Sequence, residues 1–207
     1  MLETKRLFLR PLRLEDAGAL MELLMPEPVH RFLPLYPPKN LEEARALIRR
    51  DYLEDAPGRH RLGLFRKSDG AFLGYVHGAI GEHYDLGYAL GADFWGYGYM
   101  TEAAGALLKL LGAEGIPYVT ATHDQNNPKS GEVMRRLGMH YCYSYREQWQ
   151  PKDISVVFRM YQLNLCDPGA KTDWGYWNQY PEHWVEPGLA VPIKPRYNEK
   201  EYQQNRK

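Results

Sequence analysis

Alternation of apolar and polar positions gives way to a helical period near the start of the chain. In residues 5–12, KRLFLRPL, basic and apolar side chains take turns, which is typical of a strand with one solvated face. Over residues 13–25 the apolar side chains recur every three or four positions, which predicts an amphipathic helix that ends at Pro26. Residues 29–39 are rich in proline and aromatic side chains and show no period. We interpret them as an irregular connection that lines a pocket.

A second helix and a hairpin are predicted next. Asn40 is a suitable N-cap, Glu43 follows it by three positions, and the apolar stripe behind them continues to the break at Pro57. Two apolar strands, residues 61–67 and 71–81, then flank the tripeptide Ser-Asp-Gly. Because glycine readily supplies the positive φ of a tight turn, this pattern predicts a β-hairpin.

The second half of the chain alternates strands with helices. Residues 83–90 are predicted to form a strand that runs into a glycine-rich loop, and the Ala- and Leu-rich residues 100–115 a helix. A β-branched strand at 118–123 and a short helix at 126–138 follow. Two strands within residues 139–165 complete the sheet as a hairpin. We therefore expect an α/β fold, arranged as a three-layer α+β domain.

The composition changes after Asp167. Proline, tryptophan and tyrosine become frequent and no period is visible, so we expect a domain at residues 1–166 and an appendage at 167–207. Aromatic anchors should hold the appendage as far as about Pro192, followed by a frayed polar end. Its tryptophans are expected to pack on the same domain or on a second subunit, which would make a homodimer. A binding platform is the alternative use.

Charge and cysteine content narrow the function classes. Lysine plus arginine and aspartate plus glutamate both number 26, so the formal net charge is zero and no nucleic-acid partner is predicted. Cys142 and Cys166 are too few for a disulfide framework or a cysteine-rich zinc site, and the seven histidines show no paired metal spacing. We predict a cytoplasmic protein with no metal. The charged N-terminus and the lack of a long apolar run predict neither a signal peptide nor a membrane span.

Gly96 and Gly98 stand between a predicted strand and a predicted helix. In that position a backbone can approach an anion closely, and the helix N–H groups and dipole favour a phosphate. A plain glycine-rich turn is the alternative. The Gly-Lys-Ser/Thr of a P-loop is missing, and the dinucleotide fingerprint G-x-G-x-x-G fits only loosely, with Thr101 in its last position and Asp124 ending the next strand. A nicotinamide-dependent oxidoreductase therefore stays an alternative function.

Three blocks of sequence carry a family resemblance: ETKRLFLRPLRLEDA, DLGYALGADFWGYGYMTEAAGALL and NNPKSGEVMRRLGM. Together they resemble the GNAT superfamily of acetyl-CoA-dependent N-acetyltransferases, most closely the branch of ribosomal-protein N-terminal acetyltransferases. The resemblance covers residues 1–165. It implies a mixed, mostly antiparallel sheet with helices on both faces, and a cofactor cleft where the strands 84–90 and 118–123 splay apart.

The resemblance also implies where acetyl-CoA binds. The family's loop, Q/R-x-x-G-x-G/A, falls on residues 95–100, whose backbone amides would hold the pyrophosphate. Asn127 takes the position whose side chain binds the pantetheine arm, although an asparagine before proline also caps helices. Backbone N–H groups near Leu90 and Gly91 would steady the oxyanion. The full cofactor-binding set is Ala89, Leu90, Gly91, Tyr97, Gly98, Tyr99, Met100, Thr101, Asn127 and Ser130.

Ser130 is the first candidate for the acid that protonates the departing CoA thiolate. Many superfamily members carry a tyrosine for this purpose seven residues after the asparagine, and Met134 occupies that position here. A free thiol has a pKa near 8.5, so a weak acid suffices. Water and another tyrosine, such as Tyr141, are the alternatives.

Asp85 is the candidate base. It lies where several family members have a strand glutamate that deprotonates the amine, and an alkylammonium with a pKa near 10.4 must lose a proton before it attacks. A solvated strand carboxylate is the alternative interpretation, and Glu82 and His83 are nearby. Strand alternation places Asp85 with His83 on one face and Glu82 with Tyr84 on the other.

The mechanism that the resemblance implies is direct transfer of an acetyl group to a primary amine, without a covalent enzyme intermediate. The acceptor is an amine of a small molecule or of a protein N-terminus. We expect its pocket between residues 29–36 and the hairpin of the last two strands. A domain of the same fold that senses acyl-CoA without turnover is a third possible function.

Overall fold

The computed structural model describes residues 1–53 and 60–189. Within these ranges the strands are β1 Leu2–Glu3, β2 Leu7–Arg10, β3 His60–Arg66, β4 Phe72–Ile80, β5 Asp85–Leu90, β6 Tyr118–Asp124, β7 His140–Trp149, β8 Ile154–Asn164 and β9 His183–Trp184. The α-helices are α1 Ala17–Leu24, α2 Glu27–His30, α3 Leu41–Tyr52, α4 Tyr99–Ala113, α5 Pro128–Arg136 and α6 Gly175–Gln179. Short 3-10 turns at Leu14–Asp16 and Ala92–Phe94 precede α1 and α4.

All these strands belong to one sheet, in the order β1-β2-β3-β4-β5-β6-β8-β7-β9. Every neighbouring pair is antiparallel except β5 and β6, which run parallel. Their pairing is limited to one residue pair, Asp85 with Thr120, after which the two strands diverge. The expected splay is therefore present, and it leaves one edge of β5 without a strand partner.

Helices cover both faces of the sheet, as predicted. Helices α1 and α3 pack on one face around fully buried side chains such as Leu20 and Ile48. Helix α4 crosses the other face, where Leu107 and Leu111 are fully buried, and α5 packs beside it. Because burial of an aliphatic side chain contributes about 1.5–3 kcal/mol, these two cores hold the splayed sheet in shape from either side.

The predicted hairpin turns and helix caps are confirmed. Asn40 Oδ1 accepts a hydrogen bond from the Glu43 amide at 2.9 Å and caps α3. Gly70 has φ +73° and closes the β3–β4 turn. Helix α3 ends at Tyr52, and the predicted continuation towards Pro57 lies outside the described residues.

Two predictions about local structure were wrong. The connection at 29–39 was expected to be irregular throughout, but its first two residues belong to the short helix α2. This helix tolerates Pro28 because the N–H groups of a first helical turn have no partner within the helix, so proline loses no hydrogen bond there. The strand predicted at 83–90 begins only at Asp85. A turn precedes it and Tyr84 has φ +50°, so the strand alternation used to place the side chains of Glu82 and His83 does not apply.

Residues 165–189, here called the C-terminal strap, contain the described part of the appendage predicted at 167–207, in which the sequence shows no period. The strap nevertheless contains α6 and adds β9 to the sheet edge beside β7. The Trp174 ring of the strap stacks on the Tyr143 ring, with centroids 5.4 Å apart, so this aromatic anchor packs on the chain's own domain. The predicted anchoring to Pro192 and the frayed end fall outside the described residues.

Candidate active site

The splay between β5 and β6 opens into a cleft of about 1200 Å³. The glycine loop at the start of α4 and the start of α5 line one half of this cleft. The other half extends to α2, the segment after it, and strands β7 and β8. The cleft therefore joins the expected cofactor site to the expected acceptor site.

Two glycines shape the loop that enters α4. Gly96 has φ +84° and Gly98, the N-cap of α4, has φ +77°, a left-handed conformation that costs residues with a Cβ about 1–2 kcal/mol. A Cβ on Gly96 would meet no atom within 4 Å, so backbone conformation and not space is what calls for glycine there. The amides of the first turn of this 15-residue helix have no carbonyl of their own helix to bond. They form an anion-binding end directed at the cleft.

Arg6 and Glu102 fasten the glycine loop to the N-terminal strands. Arg6 donates to Glu102 through its Nε at 2.6 Å and to the Tyr97 carbonyl through NH1 at 2.9 Å. The guanidinium carbon also lies 4.3 Å from the Tyr99 ring centroid. Burial acts to raise the pKa of Glu102, but hydrogen bonds from Thr4 and Arg6 outweigh it and hold the pKa below its ordinary value. Sequence reasoning missed this clamp, because Arg6 and Glu102 are 96 positions apart.

Met100, which replaces a small residue of the family motif, leaves the loop open. Its side chain is only 4% exposed and belongs to the core between α4 and the sheet. Trp95 is oriented by a hydrogen bond of 2.7 Å from its Nε1 to the Leu90 carbonyl, and the Lys129 ammonium lies 4.9 Å from its ring centroid. The loop side chains therefore pack away from the backbone amides of the anion site.

Asn127 and Ser130 lie together at the start of α5, on the cleft wall. The Asn127 side chain accepts a hydrogen bond from the Ser130 amide at 3.4 Å, so it does cap the helix, with a longer bond than Asn40 makes in α3. The capping interpretation is thus realised in the structure. The cap uses the side-chain oxygen of Asn127. Within the described residues, the side-chain amide nitrogen has no hydrogen-bond partner.

Ser130 is paired with Tyr88, a residue that sequence reasoning did not single out. The Ser130 hydroxyl donates to the Tyr88 oxygen at 3.0 Å, and the Tyr88 hydroxyl donates to the Ser130 carbonyl at 2.8 Å. Burial raises the pKa of Tyr88 well above its usual value, against the opposing effect of the Ser130 hydrogen bond, so the phenol stays protonated. Two neutral hydroxyl groups therefore lie side by side in the cleft.

Neither the family's tyrosine position nor the alternative Tyr141 supplies a hydroxyl at this place. Met134 is 1% exposed and packs in the core. The Tyr141 hydroxyl is bonded to Ser144 at 3.0 Å and accepts from the Glu186 amide at 2.9 Å, and Tyr141 does not line the cleft. The tyrosine that contacts the Ser130 hydroxyl is Tyr88, and Tyr141 does not contact it.

His123 lines the cleft but is covered by α5. Its Nδ1 bonds the Asp124 carbonyl at 2.8 Å, and its buried Nε2 has no hydrogen-bond partner. Burial lowers its pKa, so the ring is neutral at physiological pH. A Cβ on Gly131 would meet this Nε2 at 2.5 Å, which explains the glycine and shows that α5 shields the nitrogen from any substrate.

Asp85 stands at the narrow end of the splay, where β5 and β6 still pair. The nearest basic nitrogen to its carboxylate is Nε2 of His77 on the neighbouring strand, at 3.6 Å. His83 does not share its surroundings, since His83 contacts Asp173 and the ring of Tyr176. The structure thus brings Asp85 into the cleft wall and keeps His83 with the strap.

The three strand residues assigned to the cofactor differ in which way their backbone faces. The Gly91 amide donates to the Leu73 carbonyl at 2.9 Å, so it is engaged with β4 and is not the oxyanion donor that was expected. Because successive residues of a strand bond to opposite sides, Ala89 faces β4 with Gly91, whereas Leu90 and Tyr88 face the open edge. The Leu90 amide therefore points into the splay and the Gly91 amide does not.

Three further properties bear on the function. Among residues 1–53 and 60–189, no group of three histidine, cysteine, aspartate or glutamate side chains is placed to hold a metal ion. No helix in the same ranges has both the length and the apolar character that crossing a membrane requires. Burial raises the pKa of the Cys142 thiol to about 12, so this free cysteine is a poor nucleophile.

Comparison with known proteins agrees with this geometry. Residues 6–140 match the acetyltransferase (GNAT) domain. The N-acetyltransferase YnaD of Bacillus subtilis is 25% identical over 142 residues, which are 66% of this chain and 80% of that protein. An acetyltransferase of the GNAT family from Bacillus anthracis has the same fold, with a TM-score of 0.68 and 21% identity over 78% of this chain and 96% of its own.

A third relative was solved with coenzyme A bound. RimL, a ribosomal L7/L12 alpha-N-protein acetyltransferase, superposes with a TM-score of 0.68 and 20% identity, covering 79% of this chain and 96% of its own. The matched family domain spans more than half of the chain and includes β5, the glycine loop, α4 and α5. This chain therefore belongs to the GNAT acetyltransferase family, and it is an acyltransferase enzyme.

Proposed function

We propose that this protein transfers the acetyl group of acetyl-CoA to a primary amine within the cleft between β5 and β6. The observation that carries the proposal is the placement of an anion-binding helix end and an unpaired strand edge on one continuous wall, with the Ser130 hydroxyl facing them. Coenzyme A needs these features in this order, because a pyrophosphate, a chain of amides and a thioester follow one another along the molecule.

The pyrophosphate would lie on the amides of Tyr97 to Thr101. The helix dipole and free N–H groups at the start of α4 favour such a charge, and the contacts of Arg6 hold the loop in this conformation. The pantetheine amides would pair with the open edge of β5 at Tyr88, as an added strand does. The Asn127 side-chain amide, which lines the same cleft and uses only its oxygen in the helix cap, would donate to the same arm.

The chemistry that follows from this placement is a direct transfer. The neutral amine attacks the thioester carbonyl and forms the new C–N bond, while the Leu90 amide supports the oxyanion. The tetrahedral intermediate then expels the CoA thiolate, breaking the C–S bond. The proton that the amine nitrogen loses goes to water or to Asp85, and the thiolate sulfur receives a proton from Ser130. Tyr88, whose hydroxyl lies 3.0 Å away, would pass a proton from water in the cleft to the serine oxygen, so that both hydroxyl groups end the reaction protonated.

A pair of glycine variants tests the cofactor site. Gly98 and Gly70 have nearly the same positive φ, +77° and +73°, and neither has an atom closer than 3.7 Å to an added Cβ. Alanine should therefore strain both backbones by a similar amount, about 1 kcal/mol, but only Gly98 lies in the cleft. We expect acetyl-CoA to raise the melting temperature of the wild type and of Gly70→Ala, and to have a much smaller effect on Gly98→Ala.

Release of free thiol from acetyl-CoA in the presence of amines completes this test. NADH should give no thermal shift in any of the three proteins, since the loop fits a dinucleotide poorly. A shift with NADH, or an undiminished acetyl-CoA shift in a folded Gly98→Ala protein, would place the cofactor elsewhere. Acetyl-CoA binding without transfer to any amine would instead support an acyl-CoA sensor.

A further inference from the structure

The C-terminal strap contributes aromatic rings to the half of the cleft that is opposite the glycine loop. Tyr145 of β7 lies between Tyr176 and Tyr180 of the strap, with ring centroids 5.1 and 4.8 Å away and interplanar angles of 12° and 8°. All three residues line the cleft. The strap lies beyond residues 6–140, the part of the chain that matches the family domain, so this wall is an addition to it.

Asp85 and Glu147 line the cleft together with these three tyrosines. Burial, and after it the charge of Asp85, raises the pKa of the Tyr176 phenol, so Asp85 lies near the Tyr176 end of the stack. Burial, and after it the charge of Glu147, raises the pKa of Tyr180, and Glu147 follows Tyr145 by two residues on β7, so Glu147 lies near the Tyr180 end. Among the described residues, neither Asp85 nor Glu147 forms an ion pair with a lysine or an arginine, and the basic group next to Asp85 is Nε2 of His77, at 3.6 Å. Both carboxylates line the cleft without a permanently charged partner from the described chain.

The β7–β8 turn contacts the segment around α2 beside this half of the cleft. The Lys152 ammonium, at the β7–β8 turn, donates to the carbonyls of His30 and Arg31 at 2.5 and 3.0 Å. The Tyr36 hydroxyl reaches the Pro151 carbonyl of the same turn at 3.4 Å. The turn thus lies against the segment around α2. This contact favours a small, unbranched acceptor over the N-terminus of a folded protein.

Aromatic faces and unpaired carboxylates are the groups that bind alkylammonium ions, through cation–π attraction and ion pairing. Asp85 is also close enough to Tyr88 for its charge to raise the pKa of that phenol. The Asp85 end of the stack is therefore the end near the Ser130–Tyr88 pair. The Glu147 end is the distal one.

We infer that the strap is a specificity element that selects a small di- or polyamine as the acetyl acceptor. The reacting amine would lie at the Asp85 end, and a second ammonium would lie on the tyrosine stack and pair with Glu147. This inference rests on the proposed function, since it assumes that the amine is acetylated in the same cleft. It assigns Tyr176, Tyr180 and Glu147 as acceptor-binding residues.

The test compares 1,4-diaminobutane and spermidine with butylamine, which has a similar chain but only one charge. In the wild type we expect kcat/KM for the diamine or polyamine to exceed that for butylamine at least tenfold. Glu147→Gln should reduce this ratio about tenfold, and Tyr180→Phe, which keeps the ring but removes the hydroxyl at the Glu147 end of the stack, should reduce it severalfold. Glu182→Gln is the matched control, because Glu182 is a strap carboxylate that pairs with Arg146 outside the cleft.

The outcomes separate this inference from the proposed function. If peptide N-termini are acetylated and the di- and polyamines are not, or if Glu147→Gln and Glu182→Gln leave the ratio equally unchanged, the inference fails while acetyl transfer stands. If acetyl-CoA neither shifts the melting temperature nor releases thiol with any amine, the proposed function fails as well. A lowered ratio in Glu147→Gln with unchanged acetyl-CoA affinity supports both.

Discussion

Tyr88 and Ser130 show how a site can be rebuilt from residues that are ordinary in isolation. The position where many family members carry a tyrosine acid holds Met134, which packs in the core. A tyrosine hydroxyl nevertheless reaches the site from β5, and its 3.0 Å contact gives the serine a neighbour that can restore its proton. Under the proposed mechanism, the Tyr88 hydroxyl would take over part of the task of the missing tyrosine from the other wall of the cleft.

Removing these hydroxyls one at a time should separate their roles. Ser130→Ala is expected to lower kcat about 10²-fold, because it removes the group that protonates the thiolate. Tyr88→Phe should lower kcat about tenfold, the effect of losing one supporting hydrogen bond of about 1.4 kcal/mol. Acetyl-CoA affinity, measured by calorimetry, should stay near the wild-type value in both, since the hydroxyls act mainly in the transition state.

Tyr84→Phe is the control for these two variants. Tyr84 precedes β5, packs against Tyr118 with ring centroids 5.2 Å apart, and does not line the cleft. The kcat of the Tyr84→Phe enzyme should equal that of the wild type. Full kcat in Ser130→Ala would show that water protonates the thiolate and would reduce the assignment to the cofactor-binding residues.

At the scale of elements, the chain uses asparagine N-caps on two helices with different surroundings. Asn40 caps α3 with a hydrogen bond of 2.9 Å on an exposed surface, whereas Asn127 caps α5 with one of 3.4 Å on the cleft wall. An N-cap is worth about 1 kcal/mol, and a long hydrogen bond less. The longer bond at α5 suits a side chain that also serves a ligand.

The two caps make a matched pair of alanine variants. Asn40→Ala should cost about 1 kcal/mol in the free energy of unfolding, measured in urea, and leave acetyl-CoA affinity unchanged. Asn127→Ala should cost less stability but weaken acetyl-CoA binding by about 1–2 kcal/mol, the loss of a hydrogen bond in a partly dry groove. If Asn127→Ala loses stability and keeps its affinity, the residue is a cap and nothing more.

At the scale of the whole molecule, an ion pair as well as aromatic packing holds the strap against the edge of the sheet. Glu186 accepts from both Nε and NH2 of Arg159, at 2.9 and 2.7 Å, and from the Ser144 hydroxyl at 2.6 Å. The hydrogen bond from Arg159 is the main cause that lowers the pKa of Glu186 below its ordinary value of 4.5. On the other side of the strap, Asp173 accepts from Tyr118 at 2.9 Å.

The lowered pKa predicts an acid-dependent part of the stability. A carboxylate whose pKa is lower in the folded state stabilises the fold above its unfolded pKa, and this stabilisation is lost as the pH falls through the folded pKa. Glu186→Gln should therefore be less stable than the wild type by about 1 kcal/mol at pH 7, and the difference should be smaller at pH 3. Urea unfolding at both pH values measures it.

Glu182→Gln serves as the reference, because the pair of Arg146 and Glu182 has side chains 45% and 65% exposed. Exposed pairs contribute little, so this variant should match the wild type at both pH values. A stability difference for Glu186→Gln that persists at pH 3 would mean that packing, not charge, holds this end of the strap.

Local patterns along the chain were enough to determine most of the elements and part of the site. Helix periodicity, the Asn40 cap and the glycine of the β3–β4 turn act over a few residues, so short-range sequence carries them. The same holds for the glycine loop, because the left-handed conformation of Gly98 at the N-cap of α4 is a local property of the backbone. The start of β5 was misplaced because positive φ at Tyr84, a non-glycine residue, leaves no local signal.

Only the tertiary structure decided which residues meet in the cleft. Tyr88 and Ser130 are 42 positions apart, and Arg6 and Glu102 are 96 apart, so neither pair leaves a periodic or spacing signal. The free Leu90 amide and the engaged Gly91 amide differ only through the register of β4 against β5. The strap tyrosines reach the cleft because β9 pairs with β7. Such contacts depend on long-range packing, which local propensity does not encode.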